Sequence, residues 1–446
     1  MRTMHRVKAS MLGLAVALTF GGCGILDVEN PNNLKEENLE LEASAQSAVN
    51  GTLSMVARAV ADIWQPYMVA SDEMYWIGSR DAWLSLDQGF LSDPFNEFTD
   101  AAFPNLASAR WMADTTVNIL AGHVANNPDG KFDGLYARAN LYAGMVYMVI
   151  GEVQDDFAFS HKDAEAPPVG PANMSSVLDD AIGYLDEAVA NSSGDMNTLA
   201  RAVRARAHHS RAMWPKIKTP TPATPLAVSA AAVADAEYVL GEVGDDWQWD
   251  FTYDASTVAN GLADWVNSRK ENQFDLSFVS IDAAKNMSGV ILLDPVDTGE
   301  PDPMIVSRLQ HFKQATEFTG ANKGDRYAPL TLVSADMMHL IVAENLLAGG
   351  DTPGFVDEIN AVRGAYGLSD YDPGAAGALA PIAMLQRERR AALLIMGQRL
   401  GDMYRFGTVD PKWQPQSDAL DRPGTLLPIT IIERRANCYL EPNQTC

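Results

Sequence analysis

The residues best suited to bind a ligand lie in an aromatic-rich stretch, residues 64–98, where rings and charged side chains alternate without a clean helical stripe after Met74. Flat aromatic faces stack on the apolar surface of sugar rings, and sugar hydroxyls bond to charged or amide groups. The ligand-binding residues that we predict here are Asp72, Tyr75, Trp76, Arg80 and Trp83. Trp76 and Trp83 come first because charged or small residues flank them. We expect most of the other rings to pack beneath the loop as core.

A second aromatic cluster occupies residues 245–254, with the sequence DDWQWDFTYD. Aromatic residues recur there at every second position, which predicts a short strand with one aromatic face. Trp247 and Trp249 are therefore further candidates for ligand contact. The alternative, which we favour for the face as a whole, is that it packs on the neighbouring helices.

The chain contains no recognisable motif for catalysis or for metal binding. The sequence has no nucleophile elbow, no phosphate loop, no CxxC or HxxxH zinc spacing and no EF-hand. We therefore predict no catalytic residues, no metal and no cofactor, and a protein that is not an enzyme. Because Asp and Glu are abundant, carboxylate pairs will occur by chance, and an exported glycoside hydrolase remains an alternative.

The overall composition indicates a large globular protein with an acidic surface. The chain has 446 residues, of which 47% are hydrophobic and 20% charged, so it can bury a sizeable core. Its formal net charge of −25 argues against nucleic acid, whose phosphate backbone requires a basic face.

The first residues have the layout of an export signal. Arg2, Arg6 and Lys8 precede a short apolar run, residues 11–20, and Gly21-Gly22-Cys23 follows. A cysteine directly after two small residues is typical of lipoprotein signals, in which that cysteine is lipidated. We predict a signal peptide over residues 1–22, lipidation of Cys23 and a tether over residues 23–33. A plain secretory signal is the alternative.

The other two cysteines, Cys438 and Cys446, enclose a short loop near the C-terminus. In an oxidising compartment they could form a disulfide, and two free thiols are the alternative.

Helical periodicity dominates the rest of the chain. The helices that we predict cover approximately residues 39–63, 106–124, 132–150, 176–189, 198–214, 229–243, 332–347, 354–364 and 381–404. Short turns between them indicate antiparallel αα-hairpins that resemble a tetratricopeptide arrangement. Residues 244–330 look irregular, with possible strands at 290–293 and 304–309. We predict a mainly α fold: one domain over residues 34–446, with long irregular insertions and a few short strands.

One segment carries a specific resemblance. The sequence MLQRERRAALLIMGQRLGDMYRFG, residues 384–407, resembles the signature of the SusD/RagB family, an ERR followed by G-x-R and D-x-x-R-aromatic. The matching positions are Glu388, Arg389, Arg390, Gly397, Arg399, Asp402, Arg405 and Phe406. Residues 427–437, 359–363 and 69–73 are similar to other family segments in the same order. Departures from the pattern, such as Ser334 and Asp336 where the family tends to have Arg and Glu, place ligand identity in question more than fold.

The resemblance implies a SusD-like helical fold and a lipoprotein of the outer membrane that faces the cell exterior. It also implies a partner, a TonB-dependent SusC-like β-barrel, to which a captured nutrient, a glycan or an oligopeptide, is delivered without catalysis. A helical-repeat scaffold that binds another envelope protein is a second alternative. Helical spacing within the ERR block predicts structural ion pairs around Glu388 and Asp402 rather than an active site.

Overall fold

The computed structural model describes residues 36–161, 163–318 and 324–441. The chain divides into two units, residues 1–45 and 46–446. In the first unit, the described part forms a short helix, α1 (Glu36–Leu39), and a 3-10 turn (Glu42–Ser44). The predicted signal peptide, tether and Cys23 lie outside the described residues, and so does Cys446. Among the described residues, no helix is both long and apolar enough to cross a membrane.

The front of the second unit is a series of antiparallel helices. They are α2 (Ala45–Val69), α3 (Asp81–Asp87), α4 (Glu97–Asn126), α5 (Asp133–Val153), α6 (Ser175–Ala190), α7 (Asp195–Ile217) and α8 (Ala230–Glu242). From α4 onward, each of these helices packs on the next. Helix α5 is buried without interruption from Ala139 to Val153, since apolar residues surround it on all sides. The predicted αα-hairpins are therefore confirmed.

Within the described part of the chain, six short strands pair into three two-stranded antiparallel ribbons. They are β1 (Met74–Trp76) with β3 (Asn272–Phe274), β2 (Gln248–Phe251) with β6 (Leu330–Ser334), and β4 (Val279–Ile281) with β5 (Met287–Val290). Strand β2 confirms the strand predicted for the second aromatic cluster. The strand predicted at residues 304–309 is wrong: Asp302 caps the N–H of Met304, and helix α10 (Pro303–Lys313) begins there. A short helix, α9 (Gly261–Ala263), continues as a π-helical segment (Asp264–Arg269).

The last part of the chain is again helical. Helices α11 (Ala335–Gly349), α12 (Thr352–Ala365), α13 (Pro381–Ala392) and α14 (Arg399–Phe406) are followed by the short α15 (Asp418–Asp421) and α16 (Ile431–Ala436). The single helix predicted over residues 381–404 is wrong, because the chain breaks between α13 and α14. Ile395 and Gly397 adopt positive φ angles of 65° and 67°, and the Ile395 N–H bonds to the Glu73 carboxylate at 3.0 Å instead of to a helical carbonyl.

The ERR block forms a buried ion-pair network, which confirms the predicted structural role. Arg389 donates to Asp402 at 2.9 Å, Arg405 donates to the same carboxylate at 2.8 Å, and Arg405 also pairs with Glu344. Burial alone would raise the pKa of Glu344, but the charge of Arg405 and of His209 holds it well below its usual range. The network joins α11, α13 and α14 inside the core.

Candidate functional site

The candidate site is a groove of about 280 Å³ between α2, α3, α4 and the π-helical segment. The side chains that line it and can contact a ligand are Arg58, Asp62, Gln65, Trp83, Glu97, Phe98, Asn105 and Trp265. The three residues from α2 are spaced four and three apart, so they share one face of that helix. Gly261 lets the next segment approach α2 closely, since a Cβ at that position would lie 2.2 Å from the Asp62 Oδ1. This approach brings Trp265 to the groove.

Three aromatic rings form one side of the groove. Trp83 and Phe98 stack with ring centroids 3.7 Å apart and planes 6° apart. Trp265 meets both rings edge-on, at 5.8 Å and 5.2 Å. Trp83 is 1% exposed and Phe98 is 7% exposed, whereas Trp265 is half-buried. Trp265 is therefore the ring of this cluster that can stack on a ligand.

The polar side of the groove combines a carboxylate with an amide. Asp62 accepts a hydrogen bond from the Asn105 side chain at 2.8 Å and lies 3.6 Å from the Arg58 Nε. Burial raises the pKa of Asp62 to about 6, because desolvation outweighs the charge of Arg58. Asp62 thus changes its hydrogen-bonding capacity near neutral pH: ionised it only accepts, and protonated it also donates.

Two buried donors of groove residues lack hydrogen-bond partners among the described residues. The Gln65 Nε2 and the Trp83 Nε1 are both buried, and neither has an acceptor. An unpaired buried donor costs about 1–3 kcal/mol, so such groups in a native protein call for an explanation. Both side chains belong to residues that line the groove.

Of the predicted ligand-binding residues, Trp83 lines the groove, and Arg80 contacts two residues that line it. The Arg80 guanidinium pairs with Glu97 at 2.6 Å and lies 5.7 Å from the Trp265 ring centroid. Arg269 lies 4.3 Å from the same ring. Such cation–π contacts hold the orientation of an aromatic ring. Trp83 is buried and stacks on Phe98, so little of its ring is exposed in the groove, and ligand contact by Trp83 stays a prediction.

The Asp72 carboxylate forms ion pairs within the protein. Arg399 donates to its two carboxylate oxygens at 2.5 Å and 2.8 Å, and Arg390 lies 3.4 Å away. Burial would raise the pKa of Asp72, but the hydrogen bonds and charge of Arg399 keep it below its ordinary value. The carboxylate therefore ties the loop after α2 to α14, and ligand contact by Asp72 stays a prediction.

The other predicted aromatics lie outside the groove. Tyr75 and Trp76 are half-buried in β1, opposite Gln273 and Asn272 of β3. Trp247 and Trp249 are half-buried at β2, and Trp249 packs edge-on against Phe251 at 4.9 Å. Phe251 and Tyr253, further along that face, are buried. Ligand contact by these four residues stays a prediction.

Sequence reasoning missed Trp265, Asp62 and Asn105. Trp265 lies 182 positions after Trp83 in a segment without periodicity, so nothing local indicates that the two rings meet. Asp62 follows Arg58 by four residues on a predicted helix, a spacing that is typical of a solvated ion pair. The burial of Asp62 arises from tertiary packing against the start of α9 at Gly261.

Two further expectations concern cysteines and metals. The predicted pair of Cys438 with Cys446 and the predicted lipidation of Cys23 each involve a residue outside the described part of the chain. In the described ranges, no group of three or more His, Cys, Asp or Glu side chains is arranged to hold a metal ion.

Comparison with known proteins gives no match by sequence. No protein-family profile matches the chain, and no curated protein is similar to it in a sequence search.

Solved structures do resemble it. A SusD superfamily protein from Bacteroides thetaiotaomicron VPI-5482 superposes with a TM-score of 0.61 at 12% identity, over 89% of this chain and 98% of its own. A SusD superfamily protein from Bacteroides vulgatus ATCC 8482 gives 0.60 at 12% identity, over 90% and 98%. A SusD-like carbohydrate-binding protein from the same organism gives 0.50 at 12% identity, over 82% and 83%. The protein therefore has the mainly helical fold of the SusD superfamily, as the resemblance of its sequence to the SusD/RagB family implies.

Proposed function

We propose that this protein is an outer-membrane lipoprotein that captures a nutrient glycan and delivers it to a TonB-dependent SusC-like transporter. The observation that carries the proposal is the groove, which combines a half-buried indole ring, a carboxylate and a side-chain amide. A structural neighbour with the same fold is described as a carbohydrate-binding protein, and this supports a glycan over an oligopeptide.

The groove offers each kind of contact that a sugar requires. Trp265 presents an aromatic surface for the C–H face of a pyranose ring. Asp62 accepts hydrogen bonds from hydroxyls, and Asn105 and Glu97, which also line the groove, are further polar partners. Buried hydroxyls are tolerated only when they are hydrogen-bonded, so this set of partners also selects the ligand.

The test is calorimetric titration of the protein with a panel of oligosaccharides and oligopeptides. For any glycan that binds, Trp265→Ala should weaken binding at least tenfold, which corresponds to about 1.4 kcal/mol. Trp111→Ala is the matched control, since Trp111 is also half-buried but lies outside the groove, and it should bind as the wild type does.

Two results would contradict the proposal. Equal loss in both variants would indicate a general effect on folding. Binding of peptides alone, insensitive to Trp265→Ala, would remove the glycan groove from consideration.

The membrane part of the proposal rests on the sequence. The lipoprotein signal ending at Cys23 supports an acylated N-terminus, which would hold the protein at the outer membrane through its lipid chains. The SusD fold supports a barrel partner, because the family that the sequence resembles acts with one.

A further inference from the structure

A second polar pocket lies beside the π-helical segment that carries Trp265. Two ammonium groups, three amide side chains and one aromatic ring line it, and none of the described lining residues carries a carboxylate. These residues are Asn267, Lys270, Gln273, Asn286, Lys313 and Phe318. We call this set the lysine pocket. The absence of an acidic lining residue is unexpected in a chain with a net charge of −25.

Lys313, the last residue of α10, is a buried cation without a counter-ion. Lys313 is 4% exposed. Within the described residues, its ammonium forms neither an ion pair nor a hydrogen bond, and it lies 5.6 Å from the centre of the Phe274 ring. Burial, together with the positive charge of Lys270, lowers the pKa of Lys313 to about 7. Buried lysines are nearly always paired, because an isolated charge is costly to desolvate.

Two amide oxygens in the lysine pocket are also unsatisfied. The Asn267 amide donates to the Asp325 carbonyl at 2.7 Å, and the Asn286 amide donates to the Asp282 carboxylate at 3.2 Å. Their Oδ1 atoms are buried and accept no hydrogen bond. The pocket therefore offers a cationic donor and two acceptors whose partners are missing.

We propose that the lysine pocket binds a small oxyanion that retains a hydroxyl proton, such as inorganic phosphate. The anionic oxygens would accept from Lys313 and Lys270, and the P–OH group would donate to an asparagine Oδ1. Sulfate carries the same charge as hydrogen phosphate but has no proton at neutral pH, so it would leave both amide oxygens unpaired. The site is separate from the glycan groove.

Entry of the ion requires a local rearrangement. In this structure the space between the lining side chains is narrower than a water molecule. Lys270 and Phe318 are the two members of the lysine pocket that reach solvent, so they must shift to admit the ion. Once bound, the ion would tie α10 to Asn267, two residues from Trp265, and so stiffen one wall of the glycan groove.

The experiment compares phosphate with sulfate on the purified full chain at pH 7 and equal ionic strength. Titration calorimetry should give a Kd for phosphate at least fivefold lower than for sulfate, and phosphate should raise the Tm above its value in chloride. Lys313→Met should weaken phosphate binding at least tenfold. Lys216→Met, which changes a lysine of α7 outside the pocket, should bind phosphate as the wild type does.

The variants also separate binding from folding. Lys313→Met replaces an unpaired buried charge with an apolar chain of similar length, so its Tm in chloride should equal or exceed that of the wild type. Lys270→Met, at a half-buried position, should weaken phosphate binding more mildly. The proposal is overturned if phosphate and sulfate act alike, or if Lys313→Met keeps the wild-type affinity for phosphate.

Discussion

Among single residues, Asp62 is the group that should make ligand binding depend on pH. Its pKa of about 6 means that it is ionised at pH 7.5 and mostly protonated at pH 5. If its carboxylate accepts hydrogen bonds from ligand hydroxyls, glycan affinity should fall severalfold between these two pH values. Asp62→Asn should bind more weakly at pH 7.5 and show little further loss at pH 5, as measured by calorimetry.

Glu97 provides the control for that prediction, since it also lines the groove but is exposed and paired with Arg80. Glu97→Gln should retain the wild-type dependence of affinity on pH. If Asp62→Asn keeps the same dependence as the wild type, another group is responsible and Asp62 does not contact the ligand.

Glu73 should make the stability of the protein depend on pH. Its Oε1 accepts the Ile395 N–H, its Oε2 is buried without a partner, and burial raises its pKa to about 8 from an ordinary 4.5. Between these values the unfolded chain loses the proton while the folded protein keeps it, so this group lowers stability as pH rises from about 4.5 to about 8. A neutral glutamine amide at this position does not titrate, so it would not lower the stability as the pH rises.

The free energy of unfolding of Glu73→Gln should therefore rise relative to the wild type between pH 5 and pH 8. Each unit of pKa difference corresponds to about 1.4 kcal/mol, so a relative gain of at least that size is expected. Urea denaturation at the two pH values measures it. Glu237→Gln, at an exposed position on α8, should show no such change, and an equal gain in this control would contradict the assignment to Glu73.

Residue types alone located part of the groove. Trp83 and Arg80 were predicted because they lie in one aromatic-rich stretch. Trp83 lines the groove, and Arg80 contacts Glu97 and Trp265 at its edge. Asp72 was assigned to a ligand for the same reason, but Arg399, 327 positions later, takes its carboxylate. A single sequence does not show which distant cation will pair with a given carboxylate. Local composition therefore overestimates how many polar groups are available to a ligand.

At the level of elements, the break between α13 and α14 depends on Gly397. A Cβ there would lie 2.6–2.7 Å from the Trp64 indole, and the φ of 67° already disfavours any other residue. Gly407, which ends α14, has a similar φ of 68° but open space around it. The two glycines thus separate the cost of backbone conformation from the cost of a steric clash.

Gly407→Ala should destabilise the protein by about 1 kcal/mol, the usual cost of a left-handed conformation for a residue with a Cβ. Gly397→Ala should cost at least about 2 kcal/mol more, because overpacking against Trp64 adds to the same backbone cost. Chemical denaturation of both variants measures the difference. Equal effects would mean that the Trp64 indole can move aside.

The elements themselves were predicted well where helical periodicity is long and poorly where it is interrupted. Residues 132–150 and 198–214 became α5 and α7 with ends shifted by a few positions. The apolar spacing from Leu393 to Met403 is helical, yet the chain breaks there because Glu73 and Trp64 act on it from the far end of the sequence. Residues 304–309 form a helix because of a cap at Asp302, a signal that a short apolar run hides.

For the whole molecule, the region over residues 244–330 pairs with strands that lie before it and directly after it in the chain. Strand β3 pairs with β1 near the front of the unit, and β2 pairs with β6 directly before α11. The groove exists because this region places Trp265 against α2 and α4. The sequence predicted an irregular insertion, but not that one side of the site would come from it, since no local pattern encodes pairing over some 200 residues.

The proposed attachment of the protein to the outer membrane can be tested through Cys23. If Cys23 is lipidated, the tagged wild-type protein should fractionate with outer membranes and, after detergent extraction, co-purify with a TonB-dependent barrel in near-equal amounts. Cys23→Ser should appear in the soluble fraction, because the lipid chains provide the anchor. Cys438→Ser is the matched control, since it alters a cysteine that the lipoprotein signal does not include, and it should stay with the membrane.

Trp265→Ala adds a second control to the same pull-down, because a groove that binds glycan need not contact the barrel. That variant should lose glycan affinity and still recover the barrel in wild-type amounts. Recovery of the wild-type protein alone, or with periplasmic assembly factors, would contradict the transporter partnership while leaving the glycan groove open to its own test. Loss of the barrel in Trp265→Ala would instead indicate that this groove is a protein interface, as the scaffold alternative requires.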